Sequence, residues 1–428
     1  QVGGLQDQIT DTGTAPLIEV TQTQLGTNVT SAAIESLPMQ GREQFALVAL
    51  VPGVIPALRA GSFEGTNFNA NGRDTGSNLF LVDGQYNKDD RTMTFPQSRV
   101  TVDSMAEYQV LTHEYGAEYG GASGVIVNAI TKSGTNQYHG RLFSYFQDNA
   151  LNATNYFLAQ RGEKNPESGV RVMGGNIGGP ILRNKAFFFF NYEYNRPREA
   201  LNLSFPADAA PLATSFTDAY VVNLRNYFLK GDYQFNGNHA LHVTWIYGPN
   251  DGIGENAESE RRTRDGFRHE RAAPEILLNT NWTAVIGTRM VNELRVGNVS
   301  EALWIGDRRV FNDDFNDAPW DTKAKTWPGL RGVDPLDFGA HQQHPDYGAG
   351  GRPEMTGSEL DARVITDQFT LTTGNHTLKL GGMASQNKGT FVQATNQIGT
   401  FEFGNNRAFN PSDPFTYPIR YTVAQGNI

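Results

Sequence analysis

Residues 118–140 read EYGGASGVIVNAITKSGTNQYHG, and this stretch decides the fold. Gly124 to Ile130 is a run of small and apolar residues that predicts a short strand, and a Lys-Ser-Gly-Thr-Asn turn follows it. Directly after the turn, from His139 to Asp148, the chain becomes aromatic and reads HGRLFSYFQD. Two differently built halves therefore meet here: a glycine-rich segment precedes the turn, and aromatic, alternating strands follow it.

The composition limits the classes of protein that the chain can belong to. At 428 residues it exceeds what one ordinary core holds, so we expect two domains, or one domain and a large β structure. Without cysteine there is no disulfide framework or thiolate metal site, and a net charge of −10 argues against a nucleic-acid partner. No run approaches the roughly 18 apolar residues of a membrane helix, which excludes a helical membrane protein and leaves a membrane β-barrel open.

The first half of the chain predicts a small α+β domain behind a polar arm. Residues 1–30 are rich in Thr and Gln and predict an extended arm. Phe45 to Val51 predicts a short helix, which Pro52-Gly53 closes. Asn78 to Gln85 predicts a strand that ends in an Asp-Gly turn, and Met105 to Leu111 predicts a helix-to-strand stretch.

The second half predicts strands of about ten residues with one apolar and one polar face. Alternation is clearest in Leu224 to Phe235. One face of that strand carries Tyr227, Leu229, Gly231, Tyr233 and Phe235, and the other carries Asn226, Lys230, Asp232 and Gln234 together with Phe228.

The connections favour a membrane barrel over a soluble sandwich. Asn236-Gly237-Asn238 and Thr373-Gly374-Asn375 predict tight hairpins. On the other side, the predicted connections are long and polar, and they run from Pro197 to Tyr220, from Gly248 to Pro274 and from Gly306 to about Asp361. Short turns on one side and long loops on the other are typical of outer-membrane barrels.

The order of the motifs resembles a known family, the TonB-dependent outer-membrane transporters, and within it the Oar-like branch, whose members carry a carboxypeptidase-regulatory-like domain ahead of the plug. The similar segments correspond to the plug, the first barrel strand and an aromatic strand that follows a Gly-Gly-Pro-Ile turn. They are LPMQGR (37–42), LVPGV (50–54), NANGRDTGSNLFLVDGQ (69–85), EYGGASGVIVNAITKSGTN (118–136), YHGRLFSYFQDNALNATNYF (138–157) and GGNIGGPILRNKAFFFFNYEYNR (174–196).

The resemblance implies an α+β plug domain followed by a transmembrane antiparallel β-barrel. It divides the chain into an N-terminal arm (1–30), a plug (31–136) and the N-terminal portion of a barrel with long extracellular loops (137–428). Only about ten strands can be counted, whereas plugged transporters of this class close at about 22 strands. We therefore expect the barrel to be incomplete in this chain, and the regulatory-like domain is not in it.

The implied function is energised uptake across the outer membrane of a Gram-negative-type bacterium. The ligand would be too large or too scarce for porins, for example a peptide, a glycan or a metal chelate. The implied partners are a TonB-type energy-coupling protein and the membrane lipid with its lipopolysaccharide, and no nucleic acid. The coupling protein would add a strand to an extended segment. Gln8, Ile9, Thr10, Asp11 and Thr12 are the candidate segment, and an ordinary linker strand is the alternative.

Five charged plug residues are candidates for ion pairing between the plug and the barrel wall. They are Arg42, Glu43, Arg73, Asp74 and Asp83. Charges in a plugged lumen more often pair with one another than contact a ligand, so we favour a structural role for them.

Ligand contacts are expected from the long loops and from two apical plug loops, Gly61 to Asn69 and Tyr86 to Phe95, which are rich in Gly, Asn and aromatic residues. The candidates are Tyr86, Arg91 and Phe95.

Two constellations could hold a metal. Asp313, Asp314 and Asp317 bunch hard oxygen ligands as calcium prefers, although an ordinary polar loop explains them better. His341, His344 and Asp346 could ligate zinc or copper, although an ordinary polar loop explains them better, because the loop is long and Pro345 lies between them. We expect no other cofactor.

No catalytic set rises above chance, so we expect no enzyme. Three alternatives remain open. They are a surface structural or adhesive barrel, a channel that exports proteins or polymers, and a soluble carbohydrate-binding β protein.

Overall fold

The computed structural model describes residues 25–30, 33–34, 42, 48, 50–57, 67–70, 72–88, 96–113, 115–151, 153–154, 156–160, 162, 168–203, 205, 207, 215–253, 269–307, 341–345, 348–349, 356–393, 400–407 and 409–422. No helix in these residues is long and apolar enough to cross a membrane. The α-helix whose two ends lie within these residues is α1, Tyr156–Gln160, and residues 33–34 are also α-helical.

The first half forms a small mixed sheet, which we call the plug sheet. The strands of this half are β1 Leu25–Thr30, β2 Val54–Ala57, β3 Asn67–Ala70, β4 Leu79–Val82, β5 Gln85–Tyr86, β6 Met105–His113 and β7 Ile126–Thr131. The plug sheet has the order β1-β6-β7-β4-β5, and β2 pairs with β3 in a separate hairpin. β4 and β7 are parallel, whereas the other neighbours are antiparallel. β1 shows that the last six residues of the predicted arm belong to this sheet.

The prediction for Met105 to Leu111 was wrong in part, because this stretch contains no α-helix. β6 begins at Met105, directly after a 3₁₀ turn at Val102–Ser104. β1 and β7 pair with β6 on its two sides, so its backbone groups are satisfied by ladder hydrogen bonds. Tyr108 and Val110 are buried on one face, which the period of two in a strand explains.

The second half forms a large antiparallel sheet, which we call the wall. Its strands are β8 His139–Asp148, β9 Gly169–Leu182, β10 Ala186–Leu203, β11 Phe216–Asn236, β12 His239–Ile253, β13 His269–Ile286, β14 Met290–Asp307, β17 Thr356–Thr373 and β18 His376–Gln393. Between and after them lie β15 His341–Gln343, β16 Gly348–Ala349, β19 Thr400–Phe403 and β20 Pro418–Thr422, which form a separate four-stranded sheet. Among the described residues, the wall has nine strands in sequential order, and its end strands β8 and β18 do not pair with each other.

The wall strands are longer than predicted, and the loops are correspondingly shorter. β11 has 21 residues, and β10, β13, β14, β17 and β18 have 18 each, instead of about ten. The predicted connection from Pro197 to Tyr220 is strand up to Leu203 and again from Phe216. These strand extensions could not be predicted from the sequence, because their residues are polar. The ladder hydrogen bonds of antiparallel strands satisfy the backbone groups whether or not the side chains are apolar. The two predicted hairpin turns, after Asn236 and after Thr373, are confirmed.

The two faces of the wall differ, as the alternation predicts. One face packs against the plug sheet, and its apolar members join the same core: Phe189, Phe228, Ile246, Leu277 and Val299. The opposite face leaves large apolar side chains uncovered, such as Leu229, Leu278 and Trp282. We call these the inner and the outer face.

The stretch at residues 118–140 joins the two sheets through a tightly packed turn. β7 ends at Thr131, and β8 begins at His139. A Cβ at Gly134 would lie 2.2 Å from the carbonyl oxygen of Phe188 and 2.8 Å from that of Gly179, so only glycine fits this approach to the wall.

Candidate functional site: the plug–wall interface

The turn after β4 contacts the inner face of the wall through a buried ion pair. Asp83 and Gly84 form this turn with left-handed φ values of 49° and 77°. The Asp83 Oδ2 atom lies 3.3 Å from Nζ of Lys230 on β11. The same oxygen accepts a 2.9 Å hydrogen bond from Oγ1 of Thr244 on β12. The pair is therefore formed between the plug sheet and two wall strands.

Thr131, the last residue of β7, completes this network. Its backbone N–H donates to Asp83 Oδ1 over 2.9 Å, and its hydroxyl donates to Asp83 Oδ2 over 2.7 Å. Lys230 Nζ in turn donates to the hydroxyl of Thr131 over 2.9 Å and to its carbonyl over 3.3 Å. The strand that leads into the joining turn is thus tied to the same two charges.

Electrostatics keeps the Asp83 carboxyl ionised. Burial alone raises its pKa, but the Lys230 ammonium and the hydrogen bonds from two threonines outweigh burial. The net result is a pKa below the ordinary value of 3.8. The carboxylate therefore stays charged at neutral pH.

A second charged cluster lies between the plug and the wall strands β8 and β10. Arg42, which has a left-handed φ of 55°, forms an ion pair with Asp103, and its Nε lies 4.0 Å from Glu193 Oε2 on β10. Arg141 of β8 shares the same aspartate, with Nη1 at 3.5 Å from Oδ1. The Arg42 guanidinium also lies 4.3 Å from the centre of the Tyr145 ring, a cation–π distance. Two cations from plug and wall thus meet at one plug carboxylate.

Neutral amide groups form a seam of hydrogen bonds across the rest of the interface. Wall amides donate to the plug at three places, and one plug amide, Gln85, donates in the opposite direction. The bonds are Asn191 Nδ2 to Thr101 Oγ1 (3.0 Å), Asn226 Nδ2 to Arg99 O (2.9 Å), Asn279 Nδ2 to Val82 O (3.4 Å) and Gln85 Nε2 to Val364 O (3.5 Å). The seam extends from β10 to β17, so the plug sheet is held across most of the wall.

Proteins with this sheet arrangement are known, and a family model matches most of the wall. The model described as "Outer membrane beta barrel domain" matches residues 130–219 and 200–419. The chain belongs to this outer-membrane β-barrel family. The predicted location, the outer membrane of a Gram-negative-type bacterium, is therefore confirmed.

Relatives of known type support the narrower resemblance. The TonB-dependent transporter Oar of Myxococcus xanthus is 25% identical over 237 residues, which are 50% of this chain and 22% of Oar. The outer membrane transporter YddB of Escherichia coli has a TM-score of 0.63 at 11% identity, over 89% of this chain and 50% of YddB. The ferric enterobactin receptor PfeA of Pseudomonas aeruginosa has a TM-score of 0.56 at 14% identity, over 85% and 48%. The predicted resemblance to the Oar-like branch and the predicted fold class are confirmed.

This outer-membrane barrel chain covers only part of its relatives. It spans about half the length of the solved structures and 22% of Oar. The solved structures share the fold with it at low identity, so they leave its ligand open.

The structure brings two of the five predicted plug charges to the barrel wall. Arg42 and Asp83 contact wall residues as described above. Arg73 and Asp74 are exposed, and neither forms an ion pair with a described residue. The Asp74 carboxylate accepts a hydrogen bond from the hydroxyl of Thr75 over 3.3 Å. Glu43 lies outside the described residues.

The other predicted site residues are placed only in part. Tyr86 is half-buried and packs with Leu79, Leu81 and Ile126 in a cluster of the plug sheet. His344 stacks on Phe403 at 4.4 Å, and its Nδ1 lies 2.8 Å from the carbonyl oxygen of Asn405. The backbone of His341 is described, but its side chain is not. The remaining candidates lie outside the described residues: Gln8, Ile9, Thr10, Asp11, Thr12, Arg91, Phe95, Asp313, Asp314, Asp317 and Asp346. Within the described part, no three His, Cys, Asp or Glu residues converge as metal ligands would.

Sequence analysis missed the wall side of the interface. Lys230, Asn226 and Glu275 are buried there, although each is a strongly polar residue. A signal existed for Lys230 and Asn226, because both lie on the polar face of the alternating stretch from Leu224 to Phe235. What the pattern does not contain is the identity of the plug group that each wall residue contacts.

Proposed function

We propose that this protein is an outer-membrane receptor and transporter whose plug moves away from the wall to admit a ligand. A TonB-type partner would supply the pull through residues 8–12. The ligand classes are those that the sequence leaves open: a peptide, a glycan or a metal chelate that porins do not pass.

The polar character of the inner face is the observation that carries the proposal. Asn191, Glu193, Asn226, Lys230 and Asn279 are all at most 7% exposed, and all face the plug. If the plug moves, water can take over their hydrogen bonds, because the net free energy of such a bond relative to water is only about 0.5–1.5 kcal/mol. A plug that never moves would be held equally well by apolar residues. The interface is thus suited to opening.

Thiol labelling tests whether the plug moves, and the chain has no cysteine of its own to interfere. Asn191 is fully buried under the plug, so the thiol of an Asn191→Cys variant reacts with an external reagent only if the plug leaves. We expect labelling in energised cells, loss of labelling with a protonophore, and loss after deletion of residues 8–12.

A matched control distinguishes plug movement from general loosening. Val222 of the wall strand β11 is as buried as Asn191, but it packs with Tyr220 and Leu303 in a cluster that is separate from the plug–wall core. A Val222→Cys variant should therefore stay unlabelled under all conditions. Asn191→Cys labelling that does not respond to energy would contradict uptake and favour a structural or adhesive barrel.

Ligand class is tested separately, by accumulation of radiolabelled oligopeptides, oligosaccharides and metal chelates in cells with and without the gene. Energy-dependent accumulation of one class supports import. Loss of an accumulated polymer from the cell interior would favour export.

A further inference from the structure

A short segment joins the plug to the wall and passes around one end of the β9–β10 hairpin. We call this segment, from Thr131 to Tyr138, the joint. It begins on the inner face of the wall, where Lys230 donates a 2.9 Å hydrogen bond to the Thr131 hydroxyl. It ends directly before β8, whose first residue, His139, pairs with Gly178 of β9. Between these points, every second residue from 134 to 138 contacts the same hairpin.

Two asparagines clamp the joint to the turn of the hairpin. The Asn136 amide donates from Nδ2 to Oδ1 of Asn184 over 2.7 Å, and the backbone N–H of Asn184 donates to Oδ1 of Asn136 over 2.8 Å. Asn184 lies between β9 and β10 with a left-handed φ of 61°, a conformation that asparagine adopts more readily than most residues. Both polar atoms of the Asn136 amide are therefore bound to one turn residue.

Tyr138 packs on the outer face of the hairpin. Its ring lies against Gly179, where a Cβ would be 2.3 Å from the ring carbon Cδ1. Gly179 faces outward because its register partner, Phe188, precedes Phe189 of the inner core. The Tyr138 hydroxyl donates to the carbonyl oxygen of Pro180 over 2.9 Å. The joint therefore passes around the hairpin from the inner face to the outer face.

The turn of the hairpin is itself held by the next wall strand. The backbone N–H of Lys185 donates to the carbonyl of Leu182 over 3.1 Å, and the carbonyl of Lys185 accepts from the backbone N–H of Gln234 over 2.7 Å. β10 also pairs with β11 along most of its length. A force on this turn is therefore shared by β9, β10 and β11.

The joint differs from the amide seam in how its contacts carry a force. The seam bonds are spread from β10 to β17, so a pull on the plug breaks them one after another. The three hydrogen bonds between the joint and the hairpin, two at Asn136 and one at Tyr138, fall within three residues and are loaded together. Contacts that are loaded together share the force. The joint is therefore the part of the interface that opens last.

A pull on the plug reaches β8 along the chain through the joint. β8 begins at His139, and a strand that is pulled from its end loses its ladder hydrogen bonds one at a time. With the joint fixed on the hairpin, the force passes to β9, β10 and β11 instead. β8 then keeps its pairing with β9 while the plug is pulled.

We propose that Asn136 and Asn184 anchor the joint to the β9–β10 hairpin while the rest of the plug moves. The plug pivots at this rim, and the pull that moves it does not strip β8 from the wall. This inference rests on the plug movement proposed above, and it adds which contact stays closed. Asn136 and Asn184 are positioning residues for the opening.

Cross-linking in cells tests the anchor, with thiol labelling of the N191C site as the readout. The variants N136C/N184C/N191C and E118C/K379C/N191C are treated with a short bis-thiol reagent in cells without energy, and the cells are then energised and labelled. Glu118 and Lys379 are the matched pair, because they connect the plug to β18, at the other end of the described wall. We expect the cross-link in the joint to leave labelling unchanged, and the cross-link at β18 to abolish it.

The outcomes separate the two proposals. If the N191C thiol is unreactive in energised cells without any cross-link, the proposed plug movement is wrong, and the anchor is wrong with it. If N191C alone reacts and the cross-link in the joint abolishes the reaction, the joint has to detach, and only the anchor is wrong. Labelling that survives both cross-links contradicts a pivot at the joint.

Single-molecule pulling of the intact protein in outer membranes separates an anchor from a merely structural contact. Pulled from the N-terminal end, the wild type should show a force peak when the chain is extended up to Asn136, at about 3.3–3.6 Å per residue. N136A removes two of the three hydrogen bonds to the hairpin, so this peak should fall by on the order of twofold. Q137A should keep the peak, because the described hydrogen bonds of Gln137 are made by its backbone. A lower melting temperature of N136A with an unchanged peak would mean that Asn136 serves only the fold, and the proposal would be wrong.

Discussion

Leu229 and Lys230 are neighbours in β11, and they lie in opposite environments. Leu229 on the outer face is 43% exposed, whereas Lys230 on the inner face is 6% exposed. In a soluble protein the leucine would be buried and the lysine exposed. The comparison shows that the wall has two different surroundings: lipid outside, and a polar plug inside whose carboxylate and hydroxyl groups replace water.

The largest effect is expected from breaking the inner pair. Lys230→Met leaves the buried Asp83 carboxylate without its cation, so we expect the free energy of unfolding to fall by about 3–5 kcal/mol. Thermal and urea unfolding of the detergent-solubilised protein measure this loss. The double variant D83N/K230M removes both charges and should recover part of it. A loss below about 1 kcal/mol would mean that the inner face is as wet as an ordinary surface.

The same pair predicts a pH dependence. Because the pKa of folded Asp83 is lowered, its stabilising contribution is present above its unfolded value of 3.8 and is lost as the pH falls through the folded pKa. The wild type should therefore lose stability in this acid range more steeply than D83N. Parallel curves for the two proteins would show that Asp83 is not held ionised by its neighbours.

The outer face is tested at the neighbouring residue. Leu229→Lys places a charge against lipid, and we expect a cost of about 2–4 kcal/mol near the bilayer midplane. Urea titration of folding into lipid vesicles measures it. Phe235→Lys, which adds the same side chain to the same outer face near the short turn of the strand, is the control and should cost less than about 1 kcal/mol. Equal tolerance of both lysines would contradict a lipid-facing surface.

A smaller effect is expected where the two regions join. Gly134→Ala forces a methyl group against the Phe188 carbonyl oxygen, and overpacking of this kind typically costs about 1–3 kcal/mol. Gly120→Ala in the same stretch is the control, because nothing lies within 4 Å of its added Cβ. Thermal melting of the two variants should therefore differ. Similar melting would show that the joining turn can retreat from the wall.

The smallest effect is expected at a half-exposed plug–wall pair. Glu118 Oε1 accepts from Lys379 Nζ of β18 over 2.6 Å, but the lysine side chain is 47% exposed. Solvent screens such a pair, so Glu118→Gln should cost less than about 1 kcal/mol, and the difference should shrink further in 1 M salt. A cost as large as that of Lys230→Met would mean that exposure does not set the strength of these pairs.

Much of this fold could be predicted from local pattern. The period of two along β11 placed Leu229 and Lys230 on opposite faces, and the composition change at residues 118–140 located the joint between plug and barrel. Strand ends were not predictable, because polar residues such as those after Pro197 continue the ladder through backbone bonds alone. The prediction of a helix-to-strand stretch at Met105 was wrong in part for a related reason. Strand pairing on both sides of β6 overrides a weak local preference for helix.

The candidate site was predictable only on one side. The sequence predicts that Arg42 and Asp83 lie in the lumen of the barrel. It predicts the same for Arg73 and Asp74, which are an arginine and an aspartate as well, but these two residues are exposed.

The sequence by itself determined the class of structure and the face on which each wall residue lies, because side-chain direction in a strand alternates with a fixed period. The tertiary structure decided which polar groups meet. Asp83 and Lys230 are 147 residues apart in the chain, and nothing local selects one for the other. Their contact depends on how the plug sheet sits against the wall, and that placement results from the packing of many residues at once.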